Sequence, residues 1–361
     1  MLIESYNQAQ LKEFIESDFY KSLDKIPISY HRAISHINNP DCSDDDILLW
    51  AAYEGGSLAG YAGVLPGISY LNEIPKKIYW LSCFWVDERY RGLNLASSLF
   101  FPLIKRYKDQ LLISNFVPEL EKTYQGLGIF QPTIFKNGYR FYLRFNLADI
   151  IASRYPQKPL LKSTFRIVDS FANILLSVRT PFYKKCKTEF SFIESNDFDG
   201  EFHSFTDQFK PNSNYIERSL KHFEWIIKYP WIIQAKPDKE SKRYFFSSKS
   251  NQFEYCSLKI YHEKKLLGYA LLKVRDKALT VSYIFATDAV MKDIAGYILD
   301  KACAEKIKTI MTYDTRLVTE IKKYRNRFVF FKEFKRPYII TKKIDISASL
   351  FQEGDGDSVF T

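Results

Sequence analysis

The stretch Trp80–Ala96 constrains the fold of this chain more than any other part of its sequence. It begins as an apolar strand that runs through Val86, makes a short arginine-rich turn, and passes at once into a helix whose inward side carries Leu95, Leu99 and Leu103. The first backbone N–H groups of a helix have no partners within it, so here they point at whatever sits over the turn. The sequence therefore predicts a phosphate-binding corner where the strand meets the helix.

The residues of the turn favour a ligand that approaches the backbone closely. Gly92, Asn94 and Ala96 are small or tolerate a left-handed backbone. Arg91 adds a planar guanidinium group whose N–H groups can donate to an oxygen anion. We expect an anionic group such as a phosphate to lie over these residues.

The segment Val86–Ala96 resembles the pyrophosphate loop of the GNAT superfamily of N-acetyltransferases, whose pattern is Arg/Gln-x-x-Gly-x-Gly/Ala after a strand that ends in Val. Arg91 and Ala96 match the ends of that pattern, whereas Asn94 stands where the family usually has Gly and Glu88 where it often has Pro. The resemblance implies acetyl-CoA, or another acyl-CoA, as cofactor. It implies the following cofactor-binding residues: Trp85, Val86, Arg91, Gly92, Leu93, Asn94, Leu95, Ala96 and Ser97.

A second motif lies in Leu120–Phe130, which resembles the short helix that follows in the same superfamily and reads Tyr-x-x-x-Gly-Phe. Tyr124 stands four residues before Gly128, and the aromatic residue expected next to the glycine is delayed by one position, to Phe130. The resemblance implies that Tyr124 is the catalytic acid, whose hydroxyl protonates the departing sulfur.

The catalytic base is not fixed by the sequence. Acyl transfer to an amine needs a group that takes a proton from the ammonium. Glu73, Asp87 and Glu88 are the acidic candidates near the strand and the turn, and a water relay is an equal alternative. The thiol of Cys83 is near the strand end, but no histidine is spaced to activate it, so we expect a buried, unreactive thiol.

An internal repeat indicates a duplicated fold. The segment Tyr53–Ala62 (YEGGSLAGYA) recurs as Tyr261–Ala270 (YHEKKLLGYA), with five identical residues displaced by the same 208 positions. A hairpin repeated in one register is typical of two copies of one fold. In the second copy the turn Thr287–Ala289 has no arginine and no small-residue loop, so we expect no pyrophosphate site there.

The predicted fold class is α/β of the mixed α+β type, with two tandem acyl-CoA N-acyltransferase-like domains that each have a central, mostly antiparallel sheet flanked by helices. The chain resembles the tandem architecture of mycothiol synthases, N-myristoyltransferases and Fem-type aminoacyl transferases. The predicted divisions are an acyl-CoA-binding catalytic domain (1–149), a basic amphipathic linker helix (150–190), a second, degenerate domain (191–346) and a disordered Gly/Asp-rich tail (347–361).

The linker carries an amphipathic pattern over residues 159–182, and residues 150–190 contain eight Lys and Arg against two Asp and Glu. One interpretation is a helix packed across both domains. The other is a surface that contacts anionic lipid or a lipid-linked acceptor.

Composition excludes several classes of protein. The five cysteines are scattered and the five histidines form no ligand pair, so we expect neither a disulfide framework nor a metal site. Residues 1–149 carry 15 Lys and Arg against 17 Asp and Glu, whereas the rest of the chain carries 37 against 25, so the motif-bearing half is not basic and nucleic acid is not the expected partner. No signal peptide or membrane span is evident, and we expect a cytoplasmic protein.

Three hypotheses follow for function. The first is a CoA-dependent N-acyltransferase that acetylates a small amine such as an amino sugar. The second keeps the fold and takes an aminoacyl group from tRNA, as Fem-type transferases do. The third is a non-catalytic binding protein with the same fold.

Overall fold

The computed structural model describes residues 1–90, 92–148, 151, 155, 157–179, 188–211 and 214–361. The chain forms two compact units. Unit 1 consists of Met1–Lys136, Asn196–Phe253 and Lys335–Thr361. Unit 2 consists of Asn137–Ser195 and Glu254–Phe334.

The β-strands of the described residues are distributed over the whole chain. In sequence order they are β1 (Leu2–Tyr6), β2 (Leu49–Glu54), β3 (Ser57–Leu71), β4 (Ile74–Val86), β5 (Leu111–Ser114), β6 (Ile134–Tyr142), β7 (Ser191–Glu194), β8 (Tyr215–Ile216), β9 (Ile233–Gln234), β10 (Lys249–Ser250), β11 (Phe253–His262), β12 (Lys265–Arg275), β13 (Ala278–Ala286), β14 (Thr309–Thr312) and β15 (Phe330–Ile340).

The α-helices of the described residues alternate with these strands. They are α1 (Gln8–Glu16), α2 (Asp18–Ser22), α3 (Tyr30–Ile37), α4 (Leu95–Tyr107), α5 (Glu121–Gly126), α6 (Pro159–Arg179), α7 (Gly200–Asp207), α8 (Leu220–Lys228), α9 (Met291–Ala304) and α10 (Thr315–Lys323).

Unit 1 is built on a mostly antiparallel sheet with the strand order β1-β2-β3-β4-β5-β15. Within this sheet, among the described residues, β4 and β5 pair in parallel, and the chain reaches β5 from β4 through the crossover helix α4. Leu11, Phe14 and Ala33 of α1 and α3 are buried on one face of this sheet, and Leu99 and Leu103 of α4 are buried on the other. The sheet of unit 1 is therefore covered by helices on both faces.

Unit 2 has its own mostly antiparallel sheet, with the strand order β6-β14-β13-β12-β11-β7. Its only parallel pair among the strands whose registers are defined is β13 with β14, and α9 connects them along the chain. Helices α9 and α10 pack on the sheet through Ile294, Ile298 and Leu317, which are completely buried. The predicted fold class, a mixed fold with a mostly antiparallel sheet and flanking helices, is confirmed.

The bounds of the two units differ from the predicted divisions at 149 and 191. Residues 196–253 and 335–361 belong to unit 1, although the sequence order placed all of them in the second domain or the tail. The last strand of each predicted domain also pairs elsewhere, since β15 pairs with β5 and residues 139–142 of β6 pair with β14. The predicted strand pair within residues 133–147 is instead the single strand β6.

The tail differs most from its prediction, because residues 347–361 are packed rather than disordered. The guanidinium of Arg218 donates to both carboxylate oxygens of Asp355, with an Nε–Oδ1 distance of 2.7 Å. Phe360 is completely buried, and its ring stacks on Trp231 at 4.5 Å between centroids. The composition of the tail suggested disorder, but its acidic and aromatic residues have partners far away in sequence.

Helix α6 of unit 2 directs two of its polar side chains inward. The carboxylate of Asp169 accepts the N–H groups of Leu147 and Ala148, and Asn173 bonds both backbone groups of Phe145. The helix also leaves several apolar side chains exposed: Leu160, Ile167, Val168, Phe171, Ile174 and Leu175. The predicted end of this pattern, residues 180–182, lies outside the described residues.

Within the described part of the chain, no helix combines the length and the apolar character needed to cross a bilayer. The same residues contain no group of His, Cys, Asp and Glu side chains arranged to hold a metal ion.

The packed tail leads to a prediction about stability. Replacing Phe360 with Ala removes a completely buried ring from between Trp225 and Trp231, so the free energy of unfolding should fall by about 3–5 kcal/mol. Urea unfolding followed by tryptophan fluorescence measures this change. Phe101→Ala, which truncates an exposed ring, is the matched control and should cost less than about 1 kcal/mol. Equal stability of the two variants would mean that the tail is not docked in solution.

Candidate functional site

Strands β4 and β5 of unit 1 form a fork. They pair in parallel only where Tyr79–Leu81 face Leu111–Ile113, and β4 then continues to Val86 whereas β5 ends at Ser114. The edge of β4 beyond Leu81 consequently has no described pairing on the β5 side. Unpaired backbone N–H groups at such a fork can bind the polar groups of an extended ligand.

A β-bulge lies at the base of this fork. Ala62 and Gly63 of β3 face Phe84 and Ser82 of β4, so that Cys83 is an extra residue, and its backbone has a φ of 55°. A non-glycine residue in this left-handed region is strained and persists only where the surrounding structure holds it. Gly63 is required opposite the bulge, because a Cβ there would lie 2.7 Å from the carbonyl oxygen of Ser82.

The corner after β4 is braced by Asp87. This buried carboxylate accepts from the guanidinium of Arg89 and from the ammonium of Lys25, each at 3.0 Å. The bonds from Arg89, and then those from Lys25, hold the pKa of Asp87 well below its usual range. Asp87 is thus a permanently charged brace of the turn and is poorly suited to accept a proton during catalysis.

The turn beyond Asp87 leaves the start of α4 open. Gly92 and Asn94 have positive φ angles of 81° and 57°, as the sequence pattern anticipated for a tight turn. The N–H of Ser98 is bonded to the carbonyl of Asn94, but the described residues provide no acceptor for the N–H groups of Ala96 and Ser97. Leu95 is buried and anchors the helix, whereas the side chains of Leu93, Asn94, Ala96 and Ser97 are exposed. These two N–H groups at a helix N-terminus can donate hydrogen bonds to a diphosphate.

Arg91, the predicted arginine of the pyrophosphate loop, lies outside the described residues. Trp85 and Val86, the last two residues of β4, lie at the fork. Trp85 packs its ring against Tyr61 at 5.6 Å and against Phe245 at 5.7 Å, and Val86 pairs with Gly60 of β3.

Tyr124 of α5 is buried in the cluster of aromatic residues that covers α4. Its ring centroid lies 5.4 Å from that of Phe100, 5.8 Å from that of Phe116 and 6.4 Å from that of Phe130. The delayed aromatic residue Phe130 therefore still contacts the tyrosine. Burial raises the pKa of Tyr124 to about 12, so the hydroxyl carries its proton at neutral pH and is a suitable acid.

The two predicted bases lie apart from each other. Glu73 is in the two-residue turn between β3 and β4, ten residues before Cys83, a separation of about 33 Å along an extended strand. The structure therefore does not bring Glu73 to the fork. Glu88 is exposed at the start of the 3₁₀ turn that leads to α4, and its role as base stays a prediction.

The structure adds a group of polar residues that sequence reasoning missed, and we call it the fork cluster: Arg32, His36, Ser82, Tyr244 and Asp357. Arg32 is only 4% exposed, and it donates to Ser82 Oγ at 2.6 Å, to Tyr244 Oη at 3.1 Å and to His36 Nε2 at 3.3 Å. Ser82 Oγ in turn donates to Asp357 Oδ2 at 2.6 Å. The one local signal was the pair Arg32 and His36, two polar residues one helical turn apart on the buried side of α3.

Burial keeps the imidazole of His36 and the neighbouring thiol of Cys83 neutral. Burial, together with the charge of Arg32, holds the pKa of His36 well below its usual value. Burial raises the pKa of the Cys83 thiol, whose sulfur lies 3.1 Å from Tyr244 Oη. A neutral thiol agrees with the expectation that Cys83 is not a nucleophile.

The arrangement of strands and helices in this chain is similar to that of solved structures whose sequences are only distantly related. A conserved protein of unknown function from Enterococcus faecalis V583, named as a probable N-acyltransferase, is 8% identical, with a TM-score of 0.53 over 95% of this chain and 73% of that chain. A GCN5-related N-acetyltransferase from Anabaena variabilis ATCC 29413 is 10% identical, with a TM-score of 0.48 over 94% of this chain and 72% of that chain. A search of the curated proteins finds no match.

A family match is found in the sequence of the first part of the chain. Residues 9–125 match the Acetyltransferase (GNAT) family, and they include the strand, the corner and Tyr124. The match covers less than half of the full chain, so similarity to the family is shown for this segment alone. Members of the family typically use acyl-CoA as the acyl donor.

Proposed function

We propose that the protein transfers the acetyl group of acetyl-CoA to the amine of a small acceptor, such as an amino sugar. The observation that carries this proposal is the open corner, where the N–H groups of Ala96 and Ser97 are exposed at the start of α4. Tyr124 supports it, because its ring packs against Phe100 of α4 and its buried hydroxyl stays protonated at neutral pH.

Each part of the site has a chemical role in this proposal. The helix amides and Arg91 bind the diphosphate, and the backbone of β4 between Ser82 and Val86 directs N–H groups at the acyl carbonyl and the pantetheine arm. Bound acyl-CoA supplies an activated acyl carbon as its thioester. Tyr124 donates its proton to the sulfur as the thiol departs.

We further propose that unit 2 is a degenerate second copy of unit 1. The two glycines of the repeat, Gly60 and Gly268, have similarly close neighbours. A Cβ at Gly60 would lie 3.1 Å from the side chain of Leu99, and a Cβ at Gly268 would lie 3.3 Å from the side chain of Val290. In unit 2 the corner after β13 is filled by Arg316, which donates to the carbonyl of Ala286 and to the carboxylate of Asp288. We therefore do not expect this corner to bind a diphosphate.

Calorimetry with acetyl-CoA tests the corner. Ser97→Glu places a carboxylate beside the exposed amides, where it competes with the diphosphate, so the dissociation constant should rise roughly 10-fold or more. Arg91→Ala should also weaken binding. The matched control is Lys105→Glu, which changes the net charge by more than Ser97→Glu does but lies near the other end of α4. It should leave the dissociation constant of acetyl-CoA within about 2-fold of the wild-type value.

Acetyl-CoA binding, thiol release and retention on tRNA together separate the competing functions. Acetyl-CoA binding together with thiol release in the presence of glucosamine, spermidine or benzylamine supports the proposal. Binding without thiol release for any of these amines would favour the non-catalytic hypothesis, and retention on tRNA without a response to acetyl-CoA would favour the aminoacyl transferase.

Tyr124→Phe tests the acid. The substitution keeps the ring in its aromatic cluster and removes the proton, so kcat should fall roughly 100-fold while the KM for acetyl-CoA stays within about 2-fold. Because the pKa of Tyr124 is raised to about 12, the proton is retained at mildly alkaline pH, and loss of this proton should cause no decline of the wild-type kcat up to about pH 10. A kcat of the Phe variant equal to that of the wild type would contradict this role.

The contact of residues 159–182 with anionic lipid also stays a prediction, and the outward apolar face of α6 favours it. The wild type should float with vesicles that contain phosphatidylserine, and the double variant Ile167→Ser and Phe171→Ser should float several-fold less. Equal recovery of the wild type with and without vesicles would remove the lipid interpretation.

A further inference from the structure

The tail of unit 1 meets both strands at the fork. Ser82 of β4 donates its hydroxyl to Asp357 Oδ2 at 2.6 Å, and Asn115, which follows β5, donates its side-chain amide to Ser358 Oγ at 3.4 Å. Ser82 directly precedes the bulged Cys83, and Asn115 has a left-handed backbone with a φ of 54°. Two adjacent residues of the tail thus bridge the strands where their pairing ends, and the carboxylate of Asp357 lies there.

The carboxylate of Asp357 keeps a free acceptor. One of its oxygens is bonded to Ser82, and no described residue donates a hydrogen bond to the other oxygen, Oδ1. The side chain is only partly buried, so a ligand in the fork can reach it. Asp87 differs in this respect, because Arg89 and Lys25 bind both of its oxygens.

Arg32 holds the carboxylate of Asp357 in one orientation through Ser82. It is a buried cation, and no acidic group of the described residues lies within ion-pair distance of it. Ser82 accepts from Arg32 at 2.6 Å, so its single hydroxyl proton is directed at Asp357. The charges of Arg32 and Asp357 are therefore linked through Ser82, which aligns the carboxylate without blocking Oδ1.

We propose that Asp357 is the catalytic base that takes the proton from the acceptor ammonium, with Ser82 and Arg32 as its positioning residues. This rests on the proposed acetyl transfer. Asp357 Oδ1 accepts one proton from the ammonium, the freed lone pair of the nitrogen forms the bond to the acyl carbon, and the carbon–sulfur bond breaks. Tyr124 gives its proton to the sulfur, and the second proton lost by the nitrogen returns to Tyr124. Asp357 releases its proton to solvent, so the products are an amide, free CoA and one proton.

The test compares two nucleophiles that differ in basicity. Alkyl amines are protonated near pH 8 and need a base, whereas hydroxylamine is already neutral there and is small enough to enter the fork. Asp357→Asn should lower kcat/KM roughly 100-fold for whichever of glucosamine, spermidine and benzylamine the wild type acetylates best. Transfer to hydroxylamine, measured as acetohydroxamate, should fall less than about 3-fold, and the dissociation constant of acetyl-CoA should not change.

Three further variants complete the design. Asp357→Glu keeps a carboxylate and should restore at least about a tenth of the wild-type rate with the alkyl amine. Ser82→Ala leaves the carboxylate in place but removes its link to Arg32, and it should show a smaller loss that again spares hydroxylamine. Asp345→Asn, an exposed aspartate of the same C-terminal segment, should behave as the wild type.

The outcomes separate this inference from the proposed function. Equal losses with both nucleophiles, or an Asp357→Asn variant that keeps more than half of the wild-type rate, would show that Asp357 only braces the fork. A wild-type protein that binds no acetyl-CoA, or acetylates none of the three amines, would overturn the proposed function itself and the base with it.

Discussion

The divergence of β4 from β5 is the constraint on which the rest of unit 1 depends. Parallel pairing over only three residues, followed by a bulge, separates the strands and leaves one edge of β4 without a partner. Such an edge is costly unless other groups satisfy it, because backbone N–H groups require acceptors. The tail contacts this edge through the side chain of Ser82, and the backbone of β4 beyond Leu81 has no described pairing on the β5 side.

The buried charge of Arg32 explains why the tail is held so firmly. An isolated guanidinium in a protein interior is strongly unfavourable unless hydrogen bonds and an opposite charge compensate it. Tyr244 and Ser82 provide the hydrogen bonds, the ring of Trp231 lies 3.8 Å from the guanidinium carbon, and Asp357 provides the nearest charge through Ser82. Phe360 stacks on the same tryptophan, so the burial of the charge and the docking of the tail support each other.

The sequence predicted the corner because everything that forms it is local. The strand, the turn with Gly92 and Asn94, and the helix after it are contiguous, and their patterns depend only on alternation, helical spacing and backbone preference. The fork cluster joins α3, β4 and the tail across most of the chain, and one sequence gives no signal for such contacts. The pairing of β15 with β5 could not be predicted for the same reason, because the residue pattern of one strand does not identify the strand with which it pairs.

In the proposed duplication, the two corners differ in how their charged side chains are bonded. In unit 1 the carboxylate of Asp87 turns Arg89 and Lys25 toward itself, which keeps those cations bound to Asp87 and leaves the helix start open. In unit 2 the guanidinium of Arg316 donates hydrogen bonds to the backbone at the end of β13 and to Asp288. Its positive charge is therefore compensated within the protein. Because Arg316 is also held by Asp314 at the start of α10, opening that corner would require breaking two ion pairs, and a phosphate would first have to compete with both carboxylates.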